Sequence, residues 1–391
     1  MIDCFVGADN TITPLGFSTE ELADQIKADR IAIRPYPGGA LSPKRGAFSL
    51  IDFGGLWESL RDFSDFPLLE HRPENYTRLE MLHILSISKV LKQSAVNIRS
   101  PKTLIIMATT KGNIDLLEKG RYPHIGQERL YLWKLAETVQ LFFGAPNKPL
   151  VVSNACISGL LAILIGSRLI KAGIYDHIII TGGDLVTEFV VSGFQSFKSL
   201  SPDPCKPFDA EREGLSLGEG CSTLVLSRDH SLVGIPEKIV IAGGASSNDA
   251  NHLSGPSRTG EGLYLAIRKT LTEAGLGPDD LDYISAHGTA TAYSDEMEAQ
   301  ALSRAGLEAV PVNSFKGYLG HTLGAAGGLE SALLLYSLKN NFLFKSAGFN
   351  RPGTTQKINI IADHKVQDLK VCLKTASGFG GSNGALLFMK H

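Results

Sequence analysis

The stretch VVSNACISGLLAILIGSRLIKAG, residues 151–173, decides the fold class. Four residues of strand character, Val151 to Asn154, stop abruptly, and a run of Leu, Ile, Ala and Gly starts just after Cys156. Leu160, Leu161, Ile163, Leu164 and Ile165 leave that helix no polar face for water, so it is expected in the interior. Gly159, Ala162, Gly166 and Ser167 are small enough for a neighbouring backbone to approach closely. Cys156 is expected in the first turn, where unpaired N–H groups and the positive end of the helix dipole gather. Such a place favours a thiolate and can hold a developing oxyanion. A helix terminus supplies up to ~2 kcal/mol. At about 1.36 kcal/mol per pKa unit, that would bring a free thiol from ~8.5 to roughly 7. Burial acts in the opposite sense. From this segment alone, a nucleophile and a small core residue are equally open readings.

Outward from this segment, short apolar runs alternate with helical patterns, which predicts an α/β fold with largely parallel strands. TLIIMAT (103–109), PLVVSNA (149–155), HIIITGG (177–183) and STLVLS (222–227) are nearly continuous apolar strands, as expected when both sheet faces are covered. The later part repeats the theme. KIVIAGG (238–244) and LDYISAHG (281–288) are strands, GEGLYLAIRKTLTEAGLG (260–277) is an amphipathic helix, and TLGAAGGLESALLLYSLK (322–339) is a second small-residue helix. Strands recur near 366–377 and 385–390. Each half therefore runs strands into a buried helix of small residues, a weak internal duplication with its join near 228–238. The halves are taken as 1–235, with an inserted cap-like segment at 35–80, and 236–391.

Composition narrows the function classes. With 391 residues, 43% hydrophobic and 20% charged, the chain is an ordinary globular protein, and a net charge of −2 gives no reason to expect nucleic-acid binding. Its five cysteines are odd in number, scattered and without a C-x-x-C pair, which argues against a disulfide framework or a zinc site. No basic start with a long apolar stretch marks a signal peptide, and no run approaches the ~18 apolar residues of a membrane span. A cytoplasmic protein with no membrane partner is expected. Of ten histidines, eight, including His71 and His83, sit among mixed neighbours. The other two do not. His287 follows an apolar strand in DYISAHGTATAYSDEMEA, and His321 opens the small-residue helix in VNSFKGYLGHTLGAAGGLE. Strand exits in a parallel α/β sheet line its functional crevice, and Cys156, His287 and His321 all stand at such exits.

With these segments in hand, the chain resembles the β-ketoacyl-acyl-carrier-protein synthases, condensing enzymes of the thiolase-like fold. The matching segments, in order, are NACISG, KPFDAEREGLSLGEG, HGTATAYSDEMEA, NSFKGYLGHTLGAAGGLE and GFGGSN. The resemblance implies a five-layered α/β/α/β/α body of two duplicated halves performing decarboxylative Claisen condensation. It implies Cys156 as the nucleophile that carries an acyl thioester, and His287 and His321 as donors to the malonyl thioester oxygen. Lys316 would pair with Glu330, Phe379 would add an oxyanion-hole N–H and gate the acyl pocket, and Thr289 and Thr291 would bind the phosphopantetheine arm. No dissociable cofactor and no catalytic metal are implied, although a structural monovalent cation near Glu330 fits the resemblance. The implied partners are an acidic acyl carrier protein, met by Lys206 with Lys44, Arg45 and Lys111 as further candidates, and a second subunit, identical or homologous. A non-catalytic partner subunit shaping chain length is the alternative. Degradative thiolases need a second, late cysteine, but Cys372 falls inside a strand pattern and GFGG fills the C-terminal loop. A papain-like signature and H-E-x-x-H are absent. Ser294 and Ser377 depart from residues common in relatives, which leaves the acyl preference open.

Overall fold

The structure, a computed structural model, describes residues 2–42, 44–54 and 75–391. His71 and residues 55–74 of the expected cap-like segment lie outside the described residues. Among the described residues, ten strands form one sheet. They are β1 (Phe5–Ile12), β2 (Thr103–Ala108), β3 (Leu150–Val152), β4 (His177–Asp184), β5 (Gly220–Ser227), β6 (Ile239–Asn248), β7 (Tyr283–Ser285), β8 (Val312–Asn313), β9 (Val371–Gly378) and β10 (Ser382–Lys390). Across the sheet they run β8-β7-β9-β10-β6-β1-β5-β4-β2-β3. The first five thus lie in the order 1-5-4-2-3, and the second five repeat it with every index raised by five. Strand directions repeat as well. In the first set β4, β2 and β3 are mutually parallel and β5 runs against both its neighbours, and in the second set β9, β7, β8 and β10 do the same. The two sets join where Phe5 and Val6 pair with Val240 and Ile239.

Helices repeat too. Arg78–Gln93 (α1), Leu132–Phe143 (α2) and Ser158–Lys171 (α3) have counterparts in Glu261–Ala274 (α4), Ala292–Arg304 (α5) and Ala326–Asn340 (α6). Helices α3 and α6 pack against each other and against strands of both sets, which makes them the middle layer. Their hydrophobic residues account for that position, since α6 is buried from Ala326 through Ser337 and on to Leu338. Helix α1 covers the outer face of the first set and α4 that of the second, which completes five layers. The two middle helices touch through glycines. A Cβ on Gly327 would lie 2.2 Å from Leu160 N, and one on Gly159 would lie 2.7 Å from Gly328 N. No residue with a side chain fits at that crossing without moving backbone. It is what brings the N-terminal ends of α3 and α6 together.

Two expectations need correction, and one strand was not expected. The strands are not largely parallel: four pairings in the sheet are parallel and five antiparallel, because β5 and β10 run against their neighbours and β1 pairs antiparallel with β6. Helix α3 begins at Ser158 with Ile157 as its cap, so Cys156 stands just outside the first turn. The sequence FVGADNTI also gave no strand signal, yet β1 is central. Two of its polar residues are matched across the fold: Asp9 meets Lys339 at 2.9 Å and the Asn10 amide lies 3.3 Å from Ser86 Oγ.

Candidate functional site

Cys156 sits on a tight kink. Ala155 before it has φ +44, a left-handed conformation rare for a residue with a side chain. The kink is pinned locally: the Asn154 N–H donates to Ser158 Oγ at 2.8 Å, and that hydroxyl donates to Ala155 O at 2.6 Å. The loop between β9 and β10 closes over it. Ser382 Oγ donates to Asn154 Oδ1 at 2.8 Å, a Cβ on Gly378 would stand 3.0 Å from Cys156 N, and the Phe379 backbone N–H donates toward the Cys156 sulfur. Burial pushes the Cys156 thiol up to about 11, against the lowering pull of Lys316 and that N–H. The dipole argument is therefore overruled by desolvation, and the resting sulfur is a thiol.

His287 and His321 face each other edge to face, ring centroids 5.3 Å apart and planes at 86°. Both are buried. His321 is fixed by its backbone: its N–H donates to Ser216 O at 2.7 Å and its carbonyl accepts from Gly218 N at 3.0 Å. Among the described residues, neither of its ring nitrogens has a hydrogen-bond partner. An unpaired buried imidazole is costly unless a ligand meets it. Burial, with the nearby Lys316 and Lys374 ammonium groups, holds both histidines well below the usual imidazole range, so both rings are neutral. A neutral ring carries one N–H donor.

Lys316 lies fully inside, not on the surface. Its Nζ reaches Glu330 Oε1 at 2.5 Å, His287 O at 2.5 Å and His287 Nδ1 at 3.4 Å. Its own carbonyl accepts from the Cys205 thiol at 3.2 Å, which gives that cysteine a structural place. Thr289 is buried and Thr291 half-buried, their hydroxyls 3.0 Å apart. The Phe379 ring is half-buried, stacked on Phe194 at 5.7 Å and edge-on to Phe197 at 5.2 Å.

Several positioning residues carry at most a weak sequence signal. Glu298 accepts the His287 and Gly288 N–H groups at 2.8 and 2.7 Å, and Asp295 accepts those of Thr289, Ala290 and Phe208 at 2.9, 3.0 and 2.6 Å. Their i, i+3 spacing at the start of the helix after a histidine loop was the clue available. Burial raises Asp295 to about 7, partly offset by those bonds. Asp184, at the end of β4, accepts from Thr109 Oγ1 at 2.8 Å, Thr110 N at 2.9 Å, Lys111 N at 3.2 Å and Gly324 N at 2.7 Å. It ties the exit of β2 to the turn below His321. Lys374, inside the apolar strand β9, is fully buried with its Nζ 2.8 Å from Glu330 Oε2. From the sequence alone, a lysine within such a strand reads as a solvent-facing residue.

The expected basic rim is largely spent on nearby acids. Lys206 pairs with Glu211 at 3.0 Å and Arg45 with Asp203 at 2.8 Å, while Lys44 and Lys111 are exposed. Among the described residues no cluster of His, Cys, Asp and Glu has the makings of a metal site, and no helix is long and apolar enough to cross a membrane.

Comparison with known proteins supplies the family. The beta-ketoacyl synthase N-terminal domain matches residues 6–231 and the beta-ketoacyl synthase C-terminal domain residues 239–350. The chain is 33% identical over 260 residues to a putative mitochondrial 3-oxoacyl-[acyl-carrier-protein] synthase of Schizosaccharomyces pombe, covering 61% of this chain and 60% of that one. It is 30% identical over 271 residues to 3-oxoacyl-[acyl-carrier-protein] synthase 2 of Vibrio cholerae, covering 66% of each. These matches thus span less than two thirds of the relatives' own length. Among solved structures, a beta-ketoacyl synthase from Burkholderia phymatum superposes with a TM-score of 0.85 at 23% identity over all of both chains. A ketosynthase solved with its chain length factor, from Xenorhabdus doucetiae, gives 0.83 at 24% over 100% of this chain and 98% of that one.

Proposed function

The chain belongs to the β-ketoacyl synthase family, and from that premise we propose that it is a condensing acyltransferase working on carrier-bound thioesters. The observation that carries this reading is the pair of buried neutral imidazoles, one with both nitrogens unpartnered among the described residues, in a body that also seats Cys156 beneath the Phe379 N–H. A hydrolase needs a base poised near neutrality; two rings held well below that range instead suit the donation of hydrogen bonds.

The steps follow from these positions. Cys156 Sγ attacks the thioester of an incoming acyl group, the pantetheine thiol departs with a proton, and the acyl chain rests on the sulfur. A malonyl thioester, its pantetheine arm against Thr289 and Thr291, then presents its carbonyl oxygen to His287 and His321. The bond to carbon dioxide breaks, and its electron pair becomes an enolate whose charge the two N–H donors share. The enolate carbon attacks the acyl carbonyl. The resulting oxyanion accepts from the N–H groups of Phe379 and Cys156, and collapse expels the thiolate with the β-ketoacyl product on the carrier. Lys316, Lys374 and Glu330 together leave one net positive charge beside these rings, which favours each anion along the path. Phe379, held between Phe194 and Phe197, would swing to admit the acyl chain.

The partners proposed are an acyl carrier protein bearing phosphopantetheine and a second subunit, identical or homologous. Among the described residues no strand pairs with the outer edge of β3, where Leu150 is exposed, as are Trp133 and Leu141 on the neighbouring α2. Such an edge favours pairing with another chain. The test supplies the protein with acyl- and malonyl-carrier proteins and weighs the products. A two-carbon extension, with an acyl adduct on Cys156 as intermediate, is expected. An intact malonyl-carrier and an unlabelled Cys156 would instead make the chain a non-catalytic partner that shapes another subunit's pocket.

A further inference from the structure

We infer that the ammonium of Lys374 is the built-in cation of the His287 loop, standing where a monovalent metal ion would otherwise sit against Glu330. Its catalytic meaning rests on the condensing reading above, but its existence does not.

Lys374 stands on β9 opposite Ser285 of β7 and is fully buried. The groups around its Nζ are all oxygens: Ser285 O at 3.1 Å, Ala286 O at 3.3 Å, Thr375 O at 2.6 Å and Glu330 Oε2 at 2.8 Å. Carbonyl and carboxylate oxygens are what a hard cation takes as ligands. An ammonium offers three donors and no acceptor, so it satisfies the same shell from within the chain. Both Glu330 oxygens already face an ammonium, Oε1 that of Lys316 and Oε2 that of Lys374, so a metal ion placed here would meet two positive charges. The residues present therefore do not fit the alkali ion that the family resemblance allowed.

The placement has a purpose. Lys374 takes the carbonyls of Ser285 and Ala286, and Lys316 takes that of His287. Three consecutive carbonyls at the exit of β7 thus point at two ammonium groups that share one carboxylate. The His287 ring is aimed by this clamp, and Lys374 is accordingly a positioning residue. Burial lowers the Lys374 pKa and Glu330 pulls it back up. An internal charge so enclosed is tolerable because each donor has an oxygen.

The test needs no activity. Melting midpoints are measured at equal ionic strength in choline, sodium, potassium and ammonium chloride for the intact protein, Lys374→Ala and Lys374→Met. The intact protein should melt alike in all four. Lys374→Ala opens an oxygen-lined cavity and should melt several degrees lower in choline, with at least half of that loss recovered in potassium or ammonium by binding linkage. Lys374→Met fills the cavity with an apolar chain and should show no recovery. Stabilisation of the intact protein by potassium over choline would overturn the inference, and that arm stands even if neither variant folds. Equal midpoints for Lys374→Ala in choline and potassium would also overturn it, as would recovery of Lys374→Met. Failure of condensation with these melting results intact would refute the functional reading alone.

Discussion

The two halves of the sheet share one topology and spend it differently. At the exit of β3 the first half presents a sulfur, and at the exits of β7 and β8 the second presents two imidazoles and a lysine. Their buried acids differ as well. In the first half, Asp184 is met by hydroxyls and backbone N–H groups, a shell of neutral donors. In the second, Glu330 lies between two ammonium groups. Neutral donors fix geometry with little field, whereas the two lysines with Glu330 leave one net positive charge beside the imidazoles. Under the proposed reaction, a scaffold used twice would thus separate holding the acyl group from stabilising the carbanion.

The sharpest break of that comparison removes one group from each half. Cys156→Ala should lower condensation by at least ~10⁴-fold, because nothing else in the site can carry the acyl chain. Malonyl-carrier decarboxylation, read as released carbon dioxide, should persist. Loss of both together would show that the halves do not divide the work. Since burial raises the thiol to about 11, the thiolate fraction is small at neutral pH and grows as pH rises. Alkylation of Cys156 should keep climbing through pH 10, where a free thiol near ~8.5 has already levelled.

His321→Ala should give the mirror result. Decarboxylation should fall ~10²–10³-fold, the cost of one lost oxyanion donor, while acyl transfer to Cys156, followed by mass, continues. Because both rings sit well below the usual imidazole range, they stay neutral from pH 8 to 6. The rings should therefore contribute no step to the decarboxylation rate over that interval. A step near ~6.5, the ordinary imidazole value, that persists in Asp295→Asn, which removes the carboxyl raised to about 7, would mean that one ring titrates and the burial argument fails.

How much of this difference the residues announce depends on the kind of signal. The strands at 103–108, 177–184 and 220–227 are apolar runs covered on both faces, and local composition reveals them. Strand β1 was hidden because Asp9 and Asn10 look like loop residues until Lys339 and Ser86, far along the chain, supply their partners. The placement of Cys156, His287 and His321 at strand exits was legible. Asp184, Glu298 and Lys374 were not, since their work is to hold backbone groups that the fold alone brings near. The start of α3 was misplaced by two residues for a related reason: the kink at Ala155 is enforced by Ser158 and Ser382, not by local propensity.

A gentler break targets the contact that aligns the halves. Gly327→Ala puts a methyl 2.2 Å from Leu160 N, and overpacking of this kind costs ~1–3 kcal/mol or more. The denaturation midpoint should fall accordingly. Decarboxylation and acylation should each survive better than condensation, because only the last needs the sulfur and the rings in register. A fall of all three in equal proportion would mean that the crossing serves stability without setting register.

The smallest effect is expected at the rim. Lys206 is more than a third exposed and already paired with Glu211, so its charge is partly cancelled before any carrier protein arrives. Exposed pairs of this sort are worth ~0–1 kcal/mol, and Lys206→Glu should weaken carrier binding only a few-fold at low salt and less at physiological ionic strength. Glu211→Gln is the informative companion. If Lys206 meets an acidic carrier, freeing it from Glu211 should tighten binding by a similar factor, with the gain vanishing as salt screens it. Titration of both variants with carrier protein at two salt concentrations decides the matter. A Glu211→Gln change that leaves affinity untouched while Lys206→Glu has no effect would move the docking surface away from this rim, toward the exposed Lys44 and Lys111.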